Sequence, residues 1–451
     1  MGKYFGTDGF RGEANLTLTA DHAFRIGRFL GFYFGKSNRA RAVIGKDTRL
    51  SGYMLEYALA AGLTASGGDG YLLHVTTTPS VSHVTRTENF DCGVMISASH
   101  NPFSDNGIKL MDGKGEKMTD EMTEEIERFL DGKGPDIPLA RGAAIGRTID
   151  YAAGRNRYIG YLVSLATHSL RGVKIGLDCA NGSTWMIARA VFDALGAETH
   201  VINDQPDGLN INDHCGSTYL APLRKLVKEK GLDVGFAFDG DGDRCLAVNE
   251  KGETVDGDQI LYLYAAYMKK REKLLTNTVV STVMSNMGLG TALEREGILW
   301  EQTKVGDRFV YECMQKGGHL LGGEQSGHII FSKYAVTGDG LLTAIKIMQA
   351  MMDQEKPLSQ LTAPMQLFPQ ETRSVRVKDQ IKALEHAAVQ KTLKAAEQAL
   401  KGKGRALLRK SGTEPVIRIL TEAEEESLCV KWADALEESL KHAEKKEENL
   451  S

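Results

Sequence analysis

Three times along this chain a short apolar run gives way to a loop of small and polar residues and then to a helix-patterned stretch: VIGKDTRLSG at 43–52, IGLDCANGST at 175–184 and VVSTVMSNMG at 279–288. Strands that feed helices through such short connections favour βαβ units and an α/β fold. The three openings share a texture, although their identity is too low to establish duplication. A chain of 451 residues exceeds what one core supports, and at roughly 150 residues per domain it divides into three or four units. A Gly- and Pro-rich stretch at 131–142 marks the first boundary. After Leu367-Phe368-Pro369 the texture changes to strand, long helix (381–400), strands at 405–409 and 416–420 and a last helix from about 424, an α+β pattern. The expected division is 1–150, 151–255, 256–366 and 367–451, three similar mixed α/β domains and a C-terminal α+β domain.

A formal net charge of −4 gives no reason to expect nucleic acid or an anionic membrane as partner, so any phosphate recognition must be local. The six cysteines have neither Cys-x-x-Cys pairing nor zinc-like spacing, as in a reduced cytoplasmic protein. No apolar run is long enough to span a bilayer, and the N-terminal residues contain no apolar signal core.

Asp239-Gly240-Asp241-Gly242-Asp243-Arg244 follows the apolar run 234–238 and sets three carboxylates at alternate positions with glycines between them. Such charges repel unless a cation joins them, and an oxygen-rich set with a pliable backbone suits a hard divalent ion. A calcium loop competes, because Asp239, Asp241, Asp243 and Glu250 fall at its ligand positions. Against it, Arg244 stands where that loop needs glycine, and the flanking runs are strand-like. Three protein carboxylates leave coordination positions open, which suits Mg²⁺ completed by a phosphate oxygen.

The stretch GVMISASHNPFSDNGIKL, 93–110, reads as a buried strand that delivers Ser99 into a polar loop, with a second turn at Asn106-Gly107 before Ile108-Lys109-Leu110. Ser99, His100 and Lys109 are candidates for one site, although no Gly-x-Ser-x-Gly elbow is present. The loop Gly6-Thr7-Asp8-Gly9-Phe10-Arg11-Gly12 can offer amides and a guanidinium to a phosphate. Glu324, Ser326 and His328, in GGEQSGH, suit adjacent sugar hydroxyls. Arg409, Ser411, Gly412 and Thr413, with Arg418 in the following strand, suit a phosphate dianion.

GTDGFRG (6–12), ISASHNP (96–102), NGIKL (106–110), DGDGDR (239–244), KVGDRFV (304–310), GGEQSGH (322–328) and RKSGTEP (409–415), in this order, resemble the phosphohexomutase superfamily, and within it the bacterial branch acting on glucosamine phosphates. The resemblance spans essentially the whole chain. Lys410 stands where relatives often have proline. The resemblance implies four domains around a central cleft, the fourth similar to a TATA-binding-protein-like fold that closes over it. It implies that Ser99 is a phosphoserine that carries the phosphoryl group. One Mg²⁺ per chain would be held by Asp239, Asp241, Asp243 and an oxygen on Ser99. Glu324, Ser326, His328 and Arg244 would meet the sugar, and Arg409, Ser411, Gly412, Thr413 and Arg418 its phosphate. The implied activity is interconversion of glucosamine 6-phosphate and glucosamine 1-phosphate through a sugar bisphosphate that is also the activator, feeding UDP-N-acetylglucosamine and cell-wall synthesis. A mutase for mannose or glucose phosphates is the nearest alternative; a calcium-binding regulatory protein is one of another class. Arg11 and Lys109 are the expected electrostatic stabilisers. Lys109 is the first choice of general acid/base, with His100 and His328 as rivals. The expected partner is a small phosphosugar, with a homodimer as the possible assembly.

Overall fold

The computed structural model of the chain describes residues 2–410 and 416–448. It separates into two compact units, one of Met1–Ser285 with Glu296–Pro364 and one of Asn286–Arg295 with Met365–Ser451.

The first unit holds three sheets that repeat one topology. Each contains three neighbouring parallel strands and a strand that returns antiparallel through a hairpin, and in the first sheet Thr148–Asp150 adds a further parallel strand. In the first sheet, Asp69–Val75, Arg41–Lys46 and Cys92–Ile96 are parallel and Asp105–Asp112 returns. In the second, Glu198–Ile202, Lys174–Asp178 and Val234–Phe238 are followed by Cys245–Asn249. In the third, Leu299–Thr303, Thr278–Thr282 and Leu321–Gly323 are followed by Ile329–Phe331. The three similar openings in the sequence all start on the middle parallel strand of a sheet. Their shared texture therefore reflects a shared position between layers of helices.

Parallel strands covered on both faces need apolar residues throughout. Cys92–Ile96 and Val234–Phe238 are buried at every position. Helices Ala20–Phe34 and Leu50–Ala65 lie close together because glycines face each other's backbones: a Cβ on Gly62 would sit 1.9 Å from the Phe24 carbonyl oxygen, and one on Gly27 2.1 Å from that of Leu59. Helix Ala20–Phe34 starts at a Thr19 cap, whose hydroxyl accepts from the His22 amide while the His22 ring accepts from Thr19 N–H.

In the second unit the antiparallel sheet has the order Gly404–Lys410, Val416–Ala423, Gln370–Arg376. Helices Ala387–Leu400 and Glu426–Glu448 pack on it, in the α+β arrangement expected. Helix Met287–Arg295 belongs to this unit, because Glu422 Oε1 accepts its first amide at 2.6 Å.

Three local readings of the sequence need correction. Asn106-Gly107 is strand, not turn: Arg11 and Gly12 of strand Gly9–Glu13 pair with Gly107 and Asn106. Gly107 is needed because a Cβ there would lie 2.3 Å from the Ser97 carbonyl oxygen. Gly6 to Gly12 is a hairpin, Phe5–Gly6 with Gly9–Glu13, that extends the first sheet. The helix expected at 381–400 breaks at His386, which is extended at φ −60° and ψ 128° and caps the second half, Ala387–Leu400. Among the described residues no helix is long and apolar enough to cross a membrane.

Candidate active site and metal centre

The repeated topology fixes where the chemistry stands, because each return hairpin of the first unit carries one of the polar loops. Residues 97–104 join the two strands in the first sheet, 239–244 in the second and 324–328 in the third. The loops touch. Ser99 Oγ donates to Asp239 Oδ2 at 2.6 Å, and Arg244 Nη1 donates to His100 Nδ1 at 3.1 Å. Cys245 N–H donates to the Gly327 carbonyl at 3.0 Å, and His328 Nδ1 lies 3.7 Å from Asp243 Oδ2.

Asp239, Asp241 and Asp243 are buried, with one oxygen from each inside a 4.8 Å cluster. Burial, and then the charges of Asp243 and Asp241, push the Asp239 carboxyl well above the usual range. Burial opposes the charge of Asp243 too, yet Lys109 and His328 hold its carboxyl well below the range. Asp241 Oδ1 and Asp243 Oδ1 are buried with no hydrogen-bond partner among the described residues. Clustered carboxylates with oxygens free of hydrogen bonds are the donor set a hard divalent cation requires, so the loop fits a divalent metal. The calcium-loop alternative fails: Glu250 is turned away to accept from the Ser359 amide and hydroxyl, and strands instead of helices flank the loop.

Lys109, nearly fully buried, reaches the same cluster from strand Asp105–Asp112. Its Nζ lies 2.7 Å from Asp241, 3.3 Å from Asp243 and 3.1 Å from Asp8. Burial works against its charge, but Asp241, Asp8 and Asp243 raise its pKa well above the ordinary lysine value. Arg11 pairs with Asp8 through Nη2, while its buried Nε has no hydrogen-bond partner among the described residues. His100 is pushed down to about 4, first by burial and then by Arg244 and Arg11, so the ring is neutral and accepts from Arg244. His328 is subject to opposed effects: burial lowers its pKa, while Asp243 and Asp307 bring it up to about 9. The Gly338 amide donates to its Nε2 at 2.9 Å, which needs a bare nitrogen. The two effects disagree, and the amide contact decides: with Nε2 bare the ring is neutral in this geometry, its hydrogen on Nδ1 toward Asp243, although Asp243 and Asp307 favour the charged form.

In the third hairpin, Glu324 Oε1 accepts from the Gly306 amide at 3.2 Å, and Ser326 Oγ is buried without a hydrogen-bond partner among the described residues. In the second unit Arg409 and Arg418 are direct cross-strand partners, so two guanidiniums share one face. Ser411, Gly412 and Thr413 lie outside the described residues.

The sequence reading missed an ionic chain behind the site. Lys117 Nζ bridges Asp8 at 2.8 Å and Asp307 at 2.8 Å, and Asp307 lies 3.5 Å from His328 Nε2. Asp8 and Asp307 sit inside motifs already singled out, GTDGFRG and KVGDRFV, whereas nothing in the local sequence marks Lys117.

A fold of this kind, with a serine hydroxyl on a buried carboxylate cluster, defines a class of phosphoryl-transfer enzymes, and the chain belongs to the phosphoglucomutase/phosphomannomutase family. It matches that family's alpha/beta/alpha domain I over residues 2–134, domain II over 156–252, domain III over 256–368 and the C-terminal domain over 374–439. Among its relatives, phosphoglucosamine mutase of Lachnospira eligens is 60% identical over 444 residues, 98% of this chain and 99% of that protein. Phosphoglucosamine mutase of Bacillus subtilis is 48% identical over 439 residues, 97% and 98% of the two chains. A phosphoglucomutase/phosphomannomutase family protein of Burkholderia thailandensis has the same fold, with a TM-score of 0.81 at 24% identity over 98% of each chain. Aspergillus fumigatus N-acetylphosphoglucosamine mutase, solved with GlcNAc-6P and magnesium, aligns with a TM-score of 0.70 at 17% identity over 98% and 96% of the chains.

A ligand that binds only the folded state raises stability, by about 2.7 kcal/mol at a hundred times its Kd. Titrating Mg²⁺ or Mn²⁺ into the metal-free protein should raise the thermal midpoint, and Asp241→Asn should lose most of that rise. An equal rise in the variant would exclude the triad as the metal site.

Proposed function

We propose that the chain is a phosphomutase that interconverts glucosamine 6-phosphate and glucosamine 1-phosphate, with Ser99 as the phosphoryl carrier. The observation that carries this reading is the Ser99 Oγ to Asp239 contact of 2.6 Å inside a buried carboxylate cluster that fits a divalent cation. The relative at 60% identity supports the choice of sugar. The phosphoryl group on Ser99 passes to the free hydroxyl of the sugar: the bond from phosphorus to Oγ breaks, one to the sugar oxygen forms, and Lys109, kept charged by its carboxylates, gives a proton to the leaving Oγ and recovers one from the sugar hydroxyl. The resulting bisphosphate reorients, and Ser99 Oγ accepts the other phosphoryl group. His100 and His328 are the alternatives to Lys109 for the proton. Asp239, Asp241 and Asp243 would hold one Mg²⁺ per chain, which would supply positive charge for the transfer.

Glu324 and Ser326, aided by His328 and Arg244, take the sugar hydroxyls; the unpartnered Ser326 Oγ supports that role. Arg409 and Arg418, with 411–413, take the phosphate that the sugar keeps, a role supported by their cross-strand pairing. Arg11 adds a cation beside Lys109. The four-domain division at 150, 255 and 366, and action in the cytoplasm, complete the reading. Ser99→Ala should lower turnover on the order of 10⁴-fold or more while sparing the fold. Glucosamine 6-phosphate should be turned over faster than glucose or mannose 6-phosphate in a coupled assay. Full activity of Ser99→Ala would remove the covalent step, and a preference for mannose or glucose phosphate would move the chain to a sibling activity.

We assign homodimer formation to the outer face of helix Leu50–Ala65. Its one charged residue, Glu56, is turned inward onto Lys46 at 2.5 Å. That leaves Leu50, Tyr53 and Tyr57 exposed at 63%, 46% and 63% on the outside. Leu209, also exposed, stands beside Gly208, whose carbonyl accepts from the Leu50 amide at 3.0 Å. A stable interface buries at least about 1,200 Å² in total, about 600 Å² from each copy across a two-fold axis, which the exposed helix face would have to supply with its flanking loops. Tyr57→Glu should give monomers by light scattering. Dimers that survive the substitution, or a monomeric parent, would reject this face.

A further inference from the structure

Ser99 sits in the left-handed region, at φ 52°. A residue with a Cβ stays there only when its surroundings over-determine it. The contacts that do so come from two sheets. On one side, Arg49 is completely buried just before helix Leu50–Ala65, and all its guanidinium nitrogens are engaged. Nε donates to Asp47 Oδ2 at 2.8 Å. Nη1 donates to the carbonyls of Pro102 and, at 3.0 Å, Asp105. Nη2 donates to the carbonyls of Ser99 at 2.9 Å and Asn101 at 2.8 Å. One planar fork thus gathers four carbonyls of the loop. Asp47 in turn accepts from Ser97 Oγ at 2.6 Å, and Ser97 Oγ accepts from the Ser99 amide at 2.9 Å.

On the other side, Asn212 Nδ2 donates to the same two carbonyls, Ser99 at 2.9 Å and Asn101 at 3.1 Å. Two carbonyl partners fix the orientation of this side-chain amide. Asn212 is itself held left-handed at φ 59°, and its amide donates to the Ala180 carbonyl at 2.9 Å. Gly240, from the carboxylate loop, closes the third side: a Cβ there would lie 2.5 Å from the Ser99 carbonyl oxygen and 2.9 Å from Asn212 Nδ2. The Ser99 carbonyl is therefore clamped where the first two sheets meet.

We propose that Arg49 and Asn212 are positioning residues that hold the Ser99 backbone left-handed and so register its hydroxyl on the carboxylate loop. The inference rests on the phosphomutase reading for its kinetic consequence, though not for its geometry. Neither side chain touches Ser99 Oγ. Both act through its carbonyl, so their loss misplaces the phosphoryl carrier without removing a substrate contact. A displacement of about 1 Å at a reacting atom costs on the order of 10²-fold in rate.

The test uses the full chain with Asn212→Asp, which is isosteric but turns an acceptor toward both carbonyls, and Arg49→Lys, which keeps the charge and loses the fork. Three quantities are read: kcat and KM for glucosamine 6-phosphate, the midpoint of the Mn²⁺ titration, and hydrogen–deuterium exchange at 97–105. We expect kcat to fall on the order of 10²-fold at near-constant KM, the Mn²⁺ midpoint to be unchanged, and exchange in this loop alone to speed up. Added guanidinium should restore part of the rate in Arg49→Ala. Unchanged exchange at 97–105 in Asn212→Asp overturns the clamp, as does an unchanged kcat in an active protein. Should Arg49 variants not fold, Asn212→Asp decides alone. Should the parent protein show no mutase activity, the functional reading falls while exchange still decides the clamp.

Discussion

Three carboxylates of one loop are buried with their oxygens inside 4.8 Å, and much of the site follows from that crowding. At a separation of about 4 Å and an effective dielectric of about 20, each pair repels by about 4 kcal/mol. The loop can stand only where cations meet it. Lys109 answers from the neighbouring sheet, and within the loop itself Arg244 Nε lies 3.9 Å from Asp243 Oδ1. Asp241 Oδ1 and Asp243 Oδ1 keep no hydrogen-bond partner among the described residues, which leaves room for a divalent ion to complete the balance. Ser99 is drawn into this field through its bond to Asp239. Phosphoryl transfer needs little covalent work from a protein beyond holding charge and position, and this cluster provides the charge.

Position comes from the repeated topology. A parallel sheet that closes with one antiparallel return carries its last loop at the same edge each time, so three copies of the plan bring the Ser99 hydroxyl, the carboxylate loop and the loop at 324–328 together without long excursions of chain. The glycines of these loops serve close approach. Gly240 admits the Ser99 carbonyl, and Gly327, at φ 92°, lies against the Cys245 carbonyl. The site is therefore built from backbone fit as much as from side-chain chemistry.

This explains what could be read from the sequence and what could not. The carboxylate loop was legible because alternating Asp and Gly between two apolar runs has few other uses, and strand Thr278–Thr282 stood where its apolar pattern put it. Asn106-Gly107 misled, because the dipeptide that favours turns was placed in a strand for the sake of the Ser97 carbonyl. The network of Asp8, Lys117 and Asp307 joins residues more than a hundred positions apart, which no local pattern encodes. Arg49 and Asn212 were invisible for the same reason: a helix-start arginine and a loop asparagine look ordinary until the carbonyls they gather are seen.

The most direct test of the account follows one phosphoryl group. Protein carrying labelled phosphate on Ser99 is mixed rapidly with excess unlabelled glucosamine 6-phosphate and quenched within a single turnover. The account predicts that label leaves the protein and appears on the sugar, first as bisphosphate and then as monophosphate. Label that remains on the protein, or that leaves as inorganic phosphate in step with turnover, would contradict it.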